Sequence, residues 1–122
     1  MQRFILYAAV NGFLVVVLGA FGAHGLEDKI SEASLNTWNT AVLYQMFHVV
    51  GLMLSVLLCY IFPTSKSFSR SGNAFQIGIV LFSGSLYLFA LTGISFFAYI
   101  TPLGGLGFLA GWILIIDGIL RN

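Results

Sequence analysis

The chain has 122 residues, of which 59% are hydrophobic and only 7% are charged, and its formal net charge is +1. Soluble domains carry about 25% charged residues, so this composition excludes a water-soluble surface and indicates an integral membrane protein. Because the net charge is so small, nucleic acid is not an expected partner. The partners to expect are membrane lipids, with further copies of the chain or other membrane proteins left open.

Four apolar segments follow one another along the chain, and each approaches the length that crosses a bilayer. A hydrocarbon core about 30 Å thick needs about 20 helical residues. The predicted spans are residues 4–22, 40–62, 74–95 and 103–120. Since they leave almost nothing for a soluble domain, we expect one all-α domain over residues 1–122, an integral-membrane four-helix bundle.

The first span has a basic start and a passable cleavage site, so it could be mistaken for a signal peptide. Its apolar run is longer than the 7–15 residues of a signal core, and we expect a retained helix. Positively charged residues are kept on the cytoplasmic side of membranes. If all four helices cross, one side carries four of the five basic residues, and only Lys29 lies on the other. This split predicts cytoplasmic N and C termini, with the 23–39 loop and the 95–102 turn outside. The four basic residues of the cytoplasmic side are Arg3, Lys66, Arg70 and Arg121.

Local signals predict where two of the helices begin. Ser31 or Ser34 can cap the second helix, because a hydroxyl accepts hydrogen bonds from the free amides of a first turn. Trp38 would then lie at the membrane interface. Thr101 is the expected cap of the fourth helix, with Pro102 at the first helical position, where its missing amide proton has no consequence.

Small residues recur near spacings of three, four and seven in every span, which indicates closely packed helix faces. Gly107 and Gly111 make a GxxxG pair, which indicates packing within the bundle or dimerisation. Most of the apolar bulk, including Phe4 and Ile113, is expected to face lipid.

Several polar residues lie at membrane depth, where such groups usually face protein or water. His48 lies on the small-residue face of the second span, and Tyr44 and Gln45 lie one turn before it. Residues from the other spans approach the same outer level. We therefore expect one outer-leaflet polar cluster, made of His24, Tyr44, Gln45, His48, Thr92 and Thr101.

Three interpretations of this cluster are open. It can tie helices together, since hydrogen bonds between spans contribute about 0.6–2 kcal/mol each. It can form a ligand or proton-relay pocket. Two histidines could also ligate a haem iron or a metal, but no haem motif or carboxylate accompanies them. We predict no cofactor and no metal site, and the lone Cys59 excludes an intramolecular disulfide.

Asp117 is the only acid within an apolar span, and Arg121 follows it at the favourable i+4 spacing for an ion pair. Arg3 is an alternative partner. A structural ion pair is favoured over ion transport. Asn11 lies deeper in the first span and could hydrogen-bond across the bundle. No metalloprotease motif, phosphate-binding loop or nucleophile elbow is present, so we expect a protein that is not an enzyme.

Six short motifs together resemble a family of small, uncharacterised bacterial four-helix membrane proteins whose eukaryotic relatives are called transmembrane protein 256. They are GAFGAHGL at 19–26, TAV at 40–42 followed by Tyr44, Gln45 and His48, FSGSLY at 82–87, LTG at 91–93, TPLGG at 101–105, and Gly111-Trp112. The resemblance covers nearly the whole chain and implies four spans in the plasma membrane of a bacterium. It transfers no reaction. Asp117 is outside the pattern, and the matching polar and aromatic positions are His24, Tyr44, Gln45, His48, Ser83, Ser85, Tyr87, Thr92, Thr101 and Trp112.

The sequence therefore favours a non-enzymatic membrane protein that supports membrane integrity or the assembly of membrane components. The alternative is a small lipid-, quinone- or solute-handling protein that uses the outer-leaflet pocket of histidine, glutamine and tyrosine side chains. A redox enzyme subunit is a third, less favoured class.

Overall fold

The computed structural model describes residues 1–122 and contains four α-helices and no strand. The helices are α1 (Gln2–His24), α2 (Glu32–Ile61), α3 (Lys66–Thr92) and α4 (Ser95–Arg121). All four are long and apolar enough to cross a membrane. The predicted all-α class with four membrane-spanning helices is confirmed.

Successive helices run antiparallel, and α3 packs along both α2 and α4. The start of α3 lies beside the end of each neighbour: Ser71 bonds to Ser55 of α2, and Phe68 lies against Gly118 of α4. On the other side of α2, α1 packs along that helix and reaches α3. The α2–α3 pair is therefore the centre of the bundle, and α1 and α4 flank it.

The helix ends differ from several predictions. Ser31 does cap α2, since its hydroxyl accepts from the Ser34 backbone amide at 3.1 Å. The prediction that Thr101 caps α4 is wrong, because the helix begins at Ser95, directly after a tight turn at Gly93. Gly93 has φ of 68°, a left-handed conformation that glycine adopts without strain. Pro102 consequently lies inside α4 rather than at its first position.

The core is built from phenylalanine rings that lie on glycines of the neighbouring helix. Phe75 is fully buried between Gly51 of α2 and Gly111 of α4. A Cβ atom at Gly78 would lie 2.5 Å from the Phe108 ring, so the glycine is what gives that ring its space. The small-residue faces thus receive rings, and at Gly104 and Gly107 the backbone of α4 also comes close to the backbone of α3.

Two expectations about apolar residues are corrected by this packing. Phe4 does not face lipid; it is 1% exposed and its ring lies against Gly72 of α3. Trp38 does not face lipid either, because it is 2% exposed and its indole nitrogen donates to the Leu18 carbonyl. Ile113 does point outward, at 62% exposure. Aromatic residues on a glycine-lined face are core residues here, whatever their sequence position suggests.

The GxxxG pair packs within the bundle. A Cβ atom at Gly107 would meet the backbone of Gly78 in α3 at 3.1 Å, and one at Gly111 would meet the Phe75 ring. Both glycines therefore face α3 of the same chain.

Candidate functional site

The predicted outer-leaflet cluster is divided between two sides of α2. Tyr44 and His48 face α4, whereas Gln45 faces α1 and α3. The reason is the helical period: Tyr44 and His48 point about 40° apart, whereas Gln45 points about 100° from Tyr44 and about 60° from His48, which is enough to turn it toward the other neighbouring helices. Gln45 is near His48 along the chain but belongs to a different set of hydrogen bonds.

His48 is held on both ring nitrogens. Its Nδ1 lies 2.8 Å from the Tyr44 carbonyl oxygen, and the Trp112 indole nitrogen lies 3.2 Å from its Nε2. A carbonyl only accepts and an indole N–H only donates, so Nδ1 carries the proton and Nε2 accepts. The ring also stacks on Phe108, with centroids 3.5 Å apart and an angle of 3° between the planes. The geometry fixes a neutral tautomer with no free nitrogen, so ligation of iron or another metal would require the Trp112 bond to break.

A cleft of about 480 Å³ lies between α2 and α4 beside this histidine. Tyr44, Phe108 and Trp112 line it, together with apolar residues of α4. The Tyr44 side chain is exposed, and no protein group bonds to its hydroxyl. The cleft is therefore an apolar slot with one unpaired hydroxyl at its edge.

On the other side of α2, four side chains form a continuous hydrogen-bonded chain, here called the amide chain. Asn11 of α1 donates to Gln76 of α3 at 2.8 Å, and Gln45 of α2 donates to Asn11 at 3.1 Å. The hydroxyl of Tyr87 in α3 donates to Gln45 at 2.7 Å. The amide chain thus connects three helices inside the membrane-spanning part of the bundle.

Hydroxyl groups connect the same helices at other levels. Ser55 of α2 and Ser71 of α3 bond at 2.8 Å, and both side chains are fully buried. Ser83 of α3 donates to the backbone carbonyl of Ala41 in α2 at 2.8 Å. These bonds fix the register of α3 against α2.

The remaining members of the predicted cluster lie elsewhere. Thr101 bonds to Ser85 at 2.6 Å and so connects α4 to α3. Thr92 is exposed and bonds only to its own helix and to the Ile94 amide in the following turn. His24 is exposed at the end of α1 and makes no side-chain hydrogen bond. None of these three contacts the His48 ring.

Asp117 and Arg121 form an ion pair on α4, with 2.6 Å between Arg121 Nε and Asp117 Oδ1. The other carboxylate oxygen accepts from the Ser67 hydroxyl in the first turn of α3 at 2.8 Å. Arg3, the alternative partner, instead lies over the Phe4 ring, 4.7 Å from its centroid. Asp117 therefore joins the end of α4 to the beginning of α3.

Sequence comparisons identify relatives over almost the whole length. The profile of a family described as "Protein of unknown function (DUF423)" matches residues 18–105. The chain belongs to this family. It is 47% identical over 116 residues to the UPF0382 membrane protein YwdK of Bacillus subtilis, covering 95% of this chain and 94% of the relative. It is 41% identical over 121 residues to the UPF0382 inner membrane protein YgdD of Escherichia coli, covering 98% and 92%. No solved structure matches.

These findings settle the location and the class. Relatives named as membrane and inner membrane proteins, together with four apolar helices, make this DUF423 member a multi-pass protein of the bacterial plasma membrane. The family description and the names of the relatives assign no reaction to it.

Sequence reasoning overlooked Gln76, which ends the amide chain. It is the one side-chain amide in the run from Ala74 to Ile94, and the cost of a polar group in a span is the signal that could have revealed it. The bond between Trp112 and His48 was also overlooked. It joins residues 64 positions apart, and no local spacing rule reaches that far.

Proposed function

We propose that this protein is a non-catalytic membrane protein that supports membrane integrity or the assembly of other membrane components. One observation carries the proposal: no solvent-inaccessible side-chain nitrogen or oxygen lacks a hydrogen-bond partner. A buried group reserved for chemistry or transport would be expected to keep some bonding capacity unused. Here the buried polar groups are used between helices.

The energetics favour the same interpretation. Lipid provides no hydrophobic drive for helix association, so packing and polar bonds must hold the bundle together. Each bond between spans contributes about 0.6–2 kcal/mol, and five such connections between helices would together fix the register. They are the bonds Asn11–Gln76, Gln45–Asn11, Ser55–Ser71, Ser85–Thr101 and Trp112–His48. A bundle of fixed shape with an apolar outer surface is suited to contact lipids, further copies of itself or other membrane proteins.

The test is a comparison of cells with and without the protein. We expect a deletion strain to take up a membrane-impermeant dye faster than its parent, or to contain fewer intact membrane complexes on native gels. Expression of the wild-type chain should reverse the defect. If both properties are unchanged in the deletion strain under envelope stress, the supporting role is contradicted.

A second candidate function, the handling of a small lipid, quinone or solute, is favoured by the cleft between α2 and α4. Its volume of about 480 Å³ lies within the range of small-molecule sites, roughly 300–1,000 Å³. Gly105 lines the cleft, and a Cβ atom there would be 3.9 Å from its nearest neighbour, Phe82. Gly105→Leu should therefore fill the cleft without separating α3 from α4. Loss of complementation by a folded Gly105→Leu protein would favour the second function over the first.

The orientation belongs to the same proposal. Arg3, Lys66, Arg70 and Arg121 lie at the end of the bundle where α1 and α3 begin and α2 and α4 finish, and Lys29 lies at the opposite end. The excess of positive charge supports cytoplasmic termini. We also propose a relation to eukaryotic transmembrane protein 256, supported by the six motifs of the sequence.

A further inference from the structure

A groove of about 290 Å³ runs between α1 and α3, on the side of α2 away from the cleft described above. Its walls are mostly apolar, and its polar lining includes all four members of the amide chain, Asn11, Gln45, Gln76 and Tyr87. Gly84 also lines it, and a Cβ atom there would have no neighbour within 4 Å. The groove between α1 and α3 therefore contains both free volume and polar side chains.

The direction of every bond in the amide chain follows from one backbone carbonyl. The side chain of Asn11 bonds to the Tyr7 carbonyl oxygen at 2.8 Å, so its Nδ2 must lie on that side and its Oδ1 must accept from Gln45. Gln45 then presents its Oε1 to the Tyr87 hydroxyl, which donates. Asn11 Nδ2 also donates to Gln76, which must accept with Oε1.

This assignment leaves the Gln76 amide nitrogen with two N–H groups and no acceptor in the protein. Since no inaccessible polar atom lacks a partner, that nitrogen is accessible, and Gln76 lines the groove. The amide nitrogen of Gln76 is thus an unused neutral donor that faces the groove between α1 and α3.

The depth of the groove restricts what can satisfy this donor. The midpoint of α1 is residue 13, that of α2 lies between residues 46 and 47, and that of α3 is residue 79. Measured along the helix axis, Asn11, Gln45 and Gln76 each lie within about 5 Å of the midpoint of their own helix. Phospholipid headgroups and their ester carbonyls lie at the edges of a hydrocarbon core about 30 Å thick, so they do not reach this level. Charged solutes are disfavoured because Asn11, Gln45, Gln76 and Tyr87 are all neutral.

We propose that this groove binds the oxidised headgroup of an isoprenoid quinone, with a ring carbonyl accepting a hydrogen bond from Gln76 Nε2. A quinone is uncharged, carries only acceptors in its oxidised form and reaches the middle of the bilayer on its apolar tail. The apolar walls hold the ring and the tail, and the space beside Gly84 receives the ring. The inference does not depend on the supporting role proposed above.

Tryptophan fluorescence can test it, because quinones quench nearby indoles. Trp38 packs on Tyr87 with ring centroids 4.6 Å apart, so it reports on the groove, whereas Trp112 lines the other cleft. The Trp112→Phe protein in lipid nanodiscs, titrated with decyl-ubiquinone, should show saturable quenching of Trp38. Gln76→Leu in that background should raise the apparent Kd about tenfold, as expected for one lost hydrogen bond.

Two further variants keep the test independent of folding defects. Gly84→Leu should abolish the saturable component by filling the groove, and its Cβ atom would have no protein neighbour within 4 Å. Ile77→Leu, an exposed neighbour of Gln76, should leave the Kd unchanged. Linear quenching without saturation overturns the proposal. So does an affinity in the Gln76→Leu and Gly84→Leu proteins that equals the affinity of the Trp112→Phe parent. Saturable quenching of Trp112 alone, measured in Trp38→Phe, places the quinone in the cleft between α2 and α4 and also overturns it.

Discussion

Gly111→Leu is the substitution that tests the packing of the bundle most sharply. Gly111 of α4 is buried, and a Cβ atom there would meet the ring of Phe75. That ring has little room to move, because it is fully buried and its other side packs on Gly51 of α2. The leucine side chain must therefore push α4 away from α3.

The cost follows from two opposed effects. Replacing glycine within a helix gains up to about 1 kcal/mol of helix propensity. Overpacking a well-filled core costs typically about 1–3 kcal/mol, and the immobile Phe75 ring places this site at the upper end. We expect a net loss of about 1–2 kcal/mol of stability, and an additional loss of the ring contacts that surround His48.

The assay is thermal unfolding in mild detergent, with Gly105→Leu as the matched control. It places the same side chain in the same helix, but its Cβ atom would meet only Phe82 at 3.9 Å. Gly111→Leu should lower the unfolding temperature clearly, and Gly105→Leu should leave it nearly unchanged. Equal effects of the two substitutions would refute the argument that Phe75 and Gly111 form a filled contact.

Three further predictions concern topology and polar bonds. Reporter fusions at Asn122 and within the 31–36 segment should lie on opposite sides of the membrane, with Asn122 cytoplasmic; finding both on one side would contradict four crossings. Asn11→Leu should destabilise the protein in detergent by about 1–3 kcal/mol, because it leaves the buried Gln45 amide unpaired. Gln76→Leu should cost less stability, because Asn11 keeps its bond to the Tyr7 carbonyl. A larger loss of stability for Gln76→Leu than for Asn11→Leu would contradict the amide chain. Asp117→Asn should change the unfolding temperature little, because Ser67 and Arg121 lie near solvent at the helix ends; a large drop would assign the ion pair a greater role.

The fold class could be predicted because composition and span length alone select a helical membrane bundle. The first and last residues of the helices were harder to predict from the sequence. The polar start of α3 at Lys66 looks like a loop, and only its packing against the end of α4, through Phe68 and Gly118, shows why it is helical. The core was misjudged at Phe4 and Trp38, because in a membrane protein apolar residues occur on both the lipid face and the core face.

The site was predicted only in part for a similar reason. Spacing along α2 identified Tyr44 and His48 as neighbours, and the stacked rings agree with that spacing. Spacing could not show that Gln45 turns toward Asn11, or that His48 meets Trp112, because those partners lie on other helices. Which side of α2 each polar residue faces is decided by the positions of α1 and α4.

Complementation by His48→Gln tests the central claim, that the buried polar groups serve to hold the bundle together. Glutamine retains a donor and an acceptor for the Tyr44 carbonyl and the Trp112 indole, but it neither titrates near neutral pH nor readily binds a metal. The measurement is dye uptake in the deletion strain expressing His48→Gln at wild-type level. The account predicts uptake restored to the wild-type rate. A well-folded His48→Gln protein that leaves the cells as permeable as the deletion strain would contradict it and assign the histidine a chemical role.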